Sequence, residues 1–223
     1  MAVEFYHIFI CASRAADEAD RLAVFGLSEG APNTHPGQGT ACRRFFFHNG
    51  YVELLWVDDP AETQSEAVRP VHLWERWAGR DKGACPFGIG FRPRTSHAGS
   101  LPFPAWEYRP PYLPDSLSIQ VASNAKVLTE PMLFYLSFAQ RPEAYPNAKR
   151  QVLEHTPGLK EVTGIDVVSP HAANRSVALE AVSRAGLARV RTGAGYLLEL
   201  GFDGEQQGRL ADFRPGLPLV FRW

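Results

Sequence analysis

The clearest pattern of apolar and polar positions lies between residues 40 and 58, where two runs rich in aromatic and β-branched residues flank Asn49-Gly50. An Asn-Gly pair between such runs is typical of a β-hairpin closed by a two-residue type I′ turn, because both central residues of that turn need positive φ. With this turn His48 pairs with Tyr51, and the residues before and after them pair in sequence. The pattern therefore predicts an antiparallel pair of strands in one fixed register.

The two faces of the predicted hairpin differ in chemistry, because successive side chains of a strand point to opposite faces. One face is almost wholly apolar apart from Arg43 and must pack against other elements. The opposite face carries the candidate functional side chains among apolar ones, namely Arg44, His48 and Glu53. A twisted sheet with a few satisfied polar residues remains an alternative explanation of this face.

A similar succession of elements is predicted near both ends of the chain. Residues 3–11 have the composition of a strand, and the helical spacing that follows ends at Gly26, before the hairpin. Residues 161–169 again read as a strand, followed by a helical stripe that ends at Gly186 and by three more strands. The pattern predicts an α+β fold in which a βαβββ unit is used at least twice.

Prolines and glycines divide the chain into three predicted parts. Residues 1–92 form the first βαβββ unit with an extra helix. Residues 93–158 form a middle segment rich in proline and aromatic residues, with further strands, and its aromatic content predicts an ordered flap or edge. Residues 159–223 form the second βαβββ unit.

Composition excludes some classes of partner. The chain has 223 residues and a formal net charge of −1 without a basic cluster, so we expect no nucleic-acid or membrane partner. No apolar run is long enough to span a bilayer, and the N-terminus reads as a strand and not as a signal peptide. Three widely spaced cysteines favour reduced thiols over a disulfide framework. These features predict a soluble, cytoplasmic protein.

Three segments, FYHIFI at 5–10, HPGQGTACRRFFF at 35–47 and YVELLWV at 51–57, together with the repeated βαβββ unit, resemble the vicinal oxygen chelate superfamily. More narrowly they resemble its glyoxalase-like domain proteins, which have the glyoxalase/bleomycin resistance/extradiol dioxygenase fold. The resemblance is best over residues 3–92. It implies curved mixed sheets with helices on the outer face, a small-molecule site on the concave face, and a homodimer.

The resemblance also implies a divalent metal ion bound by His or Glu from the first and fourth strands of two units. His7 and Glu53 stand at these positions of the first unit, so the resemblance makes them the metal ligands and the catalytic pair. Whether the second unit starts at Phe87 or at Val162, its matching positions do not supply a second pair of ligands. A catalytic metal usually has three protein ligands. A buried His–Glu pair without metal is the alternative.

Five further residues are predicted to contact a substrate: His35, Arg44, His48, Trp106 and Tyr108. The glycine-containing loop at 35–40 permits a close approach to a ligand, although a turn with an exposed histidine explains it equally well. Arg44 could clamp a carboxylate or neutralise Glu53. The two aromatic residues could stack on a ligand or pack a proline-rich edge.

Together these residues predict a small-molecule enzyme of the lyase, isomerase or dioxygenase type. In it Glu53 acts as a metal ligand or general base, and His7 as a ligand or orienting residue. The alternative from another functional class is a metal-free protein of the same fold that binds or sequesters a small molecule. The same fold can carry either function.

Overall fold

The computed structural model describes residues 2–95 and 101–223. Within these residues thirteen strands form two mixed sheets of eight and five strands, joined by four short α-helices and several 3-10 turns. The predicted α+β class is confirmed. Residues 96–100, which belong to the predicted proline- and aromatic-rich segment, lie outside the described residues.

The larger sheet contains the first eight strands of the chain. They are β1 (Val3–Cys11), β2 (Asn33–His35), β3 (Thr40–Phe46), β4 (Tyr51–Val57), β5 (Phe87–Pro93), β6 (Ala105–Tyr108), β7 (Ile119–Ala122) and β8 (Met132–Tyr135). Their order is β2-β3-β4-β1-β5-β8-β7-β6, with β1 antiparallel to β5 at the centre. In each half the first strand is parallel to the fourth. The sheet therefore joins two four-stranded halves of the same strand order, and its second half crosses the predicted boundary after residue 92.

The smaller sheet is built from the C-terminal part of the chain. Its strands are β9 (Val162–Ser169), β10 (Arg189–Thr192), β11 (Leu197–Phe202), β12 (Leu210–Asp212) and β13 (Leu219–Arg222). Their order is β10-β9-β11-β13-β12. Each neighbouring pair is parallel or antiparallel as in the five strands β4-β1-β5-β8-β7 of the larger sheet. The smaller sheet thus repeats the centre of the larger one without its outer strands.

The four α-helices are α1 (Ala19–Phe25), α2 (Pro60–Thr63), α3 (Leu73–Gly79) and α4 (Val177–Arg184). Helix α1 ends as predicted at Gly26, which adopts φ 109° and donates its N–H to the last turn. Buried residues of α1 and α4 join the apolar cluster between the two sheets. Helix α3 differs, because Leu73 packs into the cluster on the opposite face of the larger sheet. No helix among the described residues has the length and apolar character that a membrane span requires.

Alternation along β1 divides the core into two parts. Ile8 and Ile10 are fully buried in the cluster that lies between the sheets, together with Val167 and Leu200 of the smaller sheet. Phe9, which points the other way, belongs to a second apolar cluster on the outer face of the larger sheet. The larger sheet therefore has two buried faces, one against the smaller sheet and one around a cavity.

The predicted register of the hairpin is wrong by two residues. In the structure Phe46 pairs with Tyr51 and Arg44 pairs with Glu53, and a four-residue loop at 47–50 joins the strands. Since the shift is even, each side chain keeps its predicted face. His48 is the exception, because it lies in the loop and not in the strand.

The Asn-Gly pair has a tertiary role and does not form the predicted type I′ turn. Buried Asn49 donates its amide to the Val162 carbonyl at 2.7 Å and accepts the Val162 N–H at 3.0 Å. Gly50 lacks a positive φ, but a Cβ there would overlap the Phe5 ring and the Tyr6 carbonyl. The side chain of Asn49 therefore continues the backbone pairing of β9, and Gly50 permits a close approach to β1.

Candidate functional site

A cavity of about 390 Å³ lies on the face of the larger sheet that points away from the smaller sheet. It opens between strands of both halves of the sheet and the segments that cover them. Its polar lining residues include His7, Glu53 and His35. Its apolar lining residues include Phe9, Leu55, Leu73, Val121, Met132 and Phe134. The size and the mixed lining are typical of a site for one small organic molecule.

His7 and Glu53 come together in the cavity because β1 and β4 are parallel neighbours. His7 lies opposite Tyr51, and Glu53 lies opposite Phe9, so all four side chains face the cavity. The distance from His7 Nε2 to Glu53 Oε1 is 3.7 Å, which is longer than a hydrogen bond. The two residues are only 7% and 5% exposed. The two predicted residues are thus adjacent and buried, but they do not form a hydrogen bond with each other.

His7 is held by aromatic rings and not by hydrogen bonds. Its ring stacks on Tyr51 with centroids 4.5 Å apart and planes within 6°, and the Tyr6 ring meets its edge at 4.9 Å. Its Nδ1 is buried and has no partner among the described residues. Burial lowers the pKa of His7 to about 3, and the neighbouring His35 and Arg44 act in the same direction. His7 is therefore a neutral imidazole at physiological pH.

Glu53 is the titratable group of the site near neutral pH. Burial raises the pKa of Glu53 to about 7, although the Cys42 thiol and the Arg44 charge both lower it. The thiol of Cys42 donates to Oε2 at 3.3 Å. Oε1 faces His7 without a described hydrogen bond. One oxygen of the carboxyl group is therefore held in place, and the other is available to a molecule in the cavity.

The loop at 35–40 forms a fixed wall of the cavity. The Asn33 amide lies 3.0 Å from Nε2 of His35, so Nδ1–H of His35 donates to the Thr40 hydroxyl at 2.9 Å. The Gln38 amide donates to the same hydroxyl at 2.9 Å, and the Tyr108 hydroxyl donates to Gln38 Oε1 at 3.1 Å. Burial lowers the pKa of His35 to about 4. The alternative of an exposed histidine is wrong, because His35 is only 8% exposed.

Arg44 lies beside His7 and Glu53 without forming an ion pair with Glu53. Its Nε donates to the Ala31 carbonyl at 2.8 Å and its Nη2 to the Pro32 carbonyl at 3.3 Å. The guanidinium also lies over the Phe46 ring, 5.0 Å from the centroid. Although Arg44 pairs with Glu53 in the register of the sheet, the two side chains are not within ion-pair distance. Among the described residues Arg44 has no carboxylate partner.

Two predicted substrate contacts are not in the cavity lining. His48 leaves the sheet with the four-residue loop and places Nδ1 3.3 Å from Glu143. Trp106 packs edge-on against Tyr108, with centroids 6.0 Å apart, and only Tyr108 reaches the cavity. His48 misses the cavity because the loop is longer than predicted. Trp106 misses it because its ring packs against the neighbouring Tyr108 on β6.

Some lining residues come from segments in which the sequence shows no local signal for a site. Tyr112 stacks at a tilt on His35, with centroids 4.6 Å apart, and follows the prolines of the middle segment. Lys149 comes from the long connection between the sheets and also lines the cavity. For the proline-rich segment that contains Tyr112, the composition predicted an ordered flap. For Lys149 the sequence contained no indication of a site, because its position depends on how the connection between the sheets folds back.

The second half of the sheet does not supply the metal ligands that the family pattern implies. The β5 positions opposite Phe9 and His7 are Gly88 and Gly90, and a Cβ at either would overlap an aromatic ring. Their neighbours on β8 are Met132 and Phe134. Within residues 2–95 and 101–223 no three His, Cys, Asp or Glu side chains are grouped to hold a metal ion. The described side chains therefore do not fit a metal that needs three protein ligands.

Comparison with known proteins supports the family resemblance for residues 5–98. Residues 5–98 match the family described as the glyoxalase-like domain, which confirms the resemblance over this segment. No curated protein matches the chain. Among solved structures, a hypothetical protein from Staphylococcus aureus is similar, with 10% identity, 99% of each chain covered and a TM-score of 0.48.

Proposed function

We propose that this chain, whose residues 5–98 are a glyoxalase-like domain of the vicinal oxygen chelate superfamily, is a small-molecule enzyme that transfers a proton through Glu53. The observation that carries the proposal is the buried Glu53 carboxyl group, whose pKa is raised to about 7 in a largely apolar cavity. A general base works best when its pKa lies near the operating pH. Burial of a carboxyl group without a cationic partner also costs stability, which favours a functional reason for it.

Three side chains have different roles in the proposed proton transfer. Cys42 holds Oε2 of Glu53, so Oε1 is the oxygen that accepts a proton from a substrate C–H or O–H group. Burial stabilises the neutral carboxylic acid that results, and this acid then returns the proton to another atom of the substrate. His7, whose Nε2 lies 3.7 Å from Oε1, is neutral and has a much lower pKa, so it does not compete for the proton. This sequence corresponds to an isomerase or a lyase.

The proposal needs no metal ion. Dioxygenase chemistry would require a redox metal, and the donor set of the cavity falls short of the three protein ligands that such sites commonly use. To bind here, the predicted divalent cation would need further ligands from outside the described side chains. We therefore retain the isomerase and lyase types from the sequence-based prediction and assign the site no metal-dependent step.

A cytoplasmic location is proposed on the basis of the cysteines. Cys11, Cys42 and Cys85 are all buried free thiols, as is usual in a reducing compartment. The homodimer implied by the family resemblance stays a prediction.

A second candidate function is binding without turnover. It is favoured by the floor of the cavity, where glycines and aromatic rings occupy the positions at which the second pair of family ligands would stand. A protein that sequesters an apolar compound needs such a surface and no base. In that case Glu53 would only receive a hydrogen bond from the ligand or donate one to it.

Proton transfer can be tested without knowing the substrate. Wild-type protein is incubated in D₂O with a library of small carbonyl compounds, and deuterium uptake is measured by mass spectrometry. We expect uptake into a subset of compounds, with a rate that increases through about pH 7 as Glu53 ionises. Glu53→Gln should reduce the rate at least about 100-fold, as is typical for loss of a general base, and the exposed control Glu66→Gln should not.

Other outcomes separate the two candidate functions. Uptake that persists in Glu53→Gln would contradict the proposed base. Compounds that bind without any exchange would favour the binding protein. Loss of exchange after treatment with a chelator, with recovery on addition of a divalent metal, would contradict the metal-free mechanism.

A further inference from the structure

We infer that the molecule bound in the cavity is an anion with an apolar body, and that Arg44 and Lys149 bind its acidic group at one side of the cavity. The inference rests on the proposed function, because it names the class of ligand that the same cavity takes. Its basis is the set of charged residues that line the cavity, together with the contacts that hold the Arg44 side chain and the backbone at Lys149.

Arg44 is fixed in place but its charge is not neutralised. Two backbone carbonyls and an aromatic ring orient the guanidinium, as described above, and they engage only Nε and Nη2. Nη1 has no described hydrogen-bond partner. An oriented guanidinium loses little conformational freedom when it binds a carboxylate, so this arrangement suits recognition of a planar anion.

A short chain of hydrogen bonds links the backbone of Lys149 to the segment that holds Arg44. The Gln151 amide donates to the Lys149 carbonyl at 3.1 Å, and Gln151 Oε1 accepts the Ala31 N–H at 3.0 Å. The carbonyl of the same Ala31 accepts the hydrogen bond from Arg44 Nε. Both cationic residues line the cavity, and neither has a carboxylate within ion-pair distance among the described residues.

The remaining charges of the lining do not offset this pair. Glu53 is the only carboxylic residue of the described lining, and burial raises its pKa to about 7, so it is partly neutral at physiological pH. His7 and His35 are neutral there because burial lowers their pKa values. The lining therefore carries a net positive charge that a monoanion would balance.

The same distribution sets the orientation of the ligand. An acidic group is attracted by Arg44 and Lys149, and it is repelled by Glu53 whenever Glu53 is ionised. The apolar body then packs against apolar residues of the lining such as Phe9, Val121 and Phe134.

The inference is tested with two probes of matched shape, 2-naphthoate and 2-naphthylmethanol, which share an apolar body and differ in charge. Isothermal titration calorimetry at pH 7.5 should show that wild-type protein binds 2-naphthoate at least about tenfold more tightly. Arg44→Gln and Lys149→Gln should each weaken 2-naphthoate about three- to tenfold, and the double variant should abolish the preference. Binding of 2-naphthylmethanol should not change, which also shows that the variants are folded.

Arg150→Gln is the matched control, because Arg150 is exposed, adjacent to Lys149 and outside the cavity lining. It removes the same charge and should leave both affinities unchanged. Equal wild-type affinities for the two probes, or a preference that survives in the double variant, would overturn the inference while the proposed proton transfer stands. If neither probe binds the wild-type protein at millimolar concentration, both the inference and the proposed binding cavity are wrong.

Discussion

Replacement of Glu53 by glutamine should stabilise the protein increasingly as the pH rises. Burial raises the pKa of Glu53 from 4.5 to about 7. The folded state therefore holds this proton more tightly than the unfolded state does. The carboxyl group imposes no ionisation cost below about pH 4.5, and the cost grows until the pH passes about 7. Glutamine has nearly the same shape and cannot ionise, so it removes this cost.

The size of this effect on the unfolding free energy follows from the shift in the pKa of Glu53. A change from 4.5 to about 7 is about 2.5 pKa units, and each unit corresponds to about 1.36 kcal/mol, which makes the full effect on the order of 3 kcal/mol. We expect the unfolding free energy of Glu53→Gln minus that of the wild type to be close to zero near pH 4.5. The difference should increase by about that amount by pH 8. Groups that titrate alike in both proteins, including His7, cancel in the difference.

Urea unfolding monitored by tryptophan fluorescence at several pH values measures this difference directly. Glu66→Gln, which changes an exposed carboxylate, is the control and should give a difference that barely depends on pH. A flat difference for Glu53→Gln would show that Glu53 is not buried in the uncharged form. A difference that grows as the pH falls would reverse the sign of the argument, since it would mean that the folded state stabilises the carboxylate.

Three further predictions concern neighbouring features. Cys42→Ala removes the thiol that donates to Glu53 and should raise the pKa of Glu53, whereas Cys42→Ser, with a stronger donor, should lower it; the midpoint of the pH–rate profile or a carboxyl ¹³C titration reports both. Asn49→Ala leaves the backbone N–H and carbonyl of Val162 without partners and should cost about 2 to 4 kcal/mol of unfolding free energy, whereas a cost under about 0.5 kcal/mol would contradict the tertiary role of Asn49. Gly90→Ala places a methyl group against an aromatic ring of the cavity floor and should abolish binding of 2-naphthoate or unfold the protein, and unchanged binding would show that the floor is not closely packed.

Local patterns in the sequence were sufficient to predict most strands and helices, and to predict which residues of a strand share a face. Alternation gave the face of His7 within β1 and of Glu53 within the hairpin, the family resemblance paired the two residues, and the structure brings their side chains to 3.7 Å. This outcome survived a wrong register because the error was two residues, and side-chain direction in a strand repeats every two residues. The α+β class and the glyoxalase-like resemblance over residues 5–98 followed from the same local information.

Only the tertiary structure decided what those elements enclose. Asn49-Gly50 satisfies the rule for a hairpin turn, yet contacts with Val162 and Phe5, which local sequence does not encode, determine its conformation. The cavity is closed by Tyr112 and Lys149, whose segments reach it over long loops without local periodicity. The sequence by itself therefore determined the strands, the faces of their side chains and the family resemblance of residues 5–98. The chemistry of the site depends on burial and on distances between distant segments, which exist only once the chain has folded.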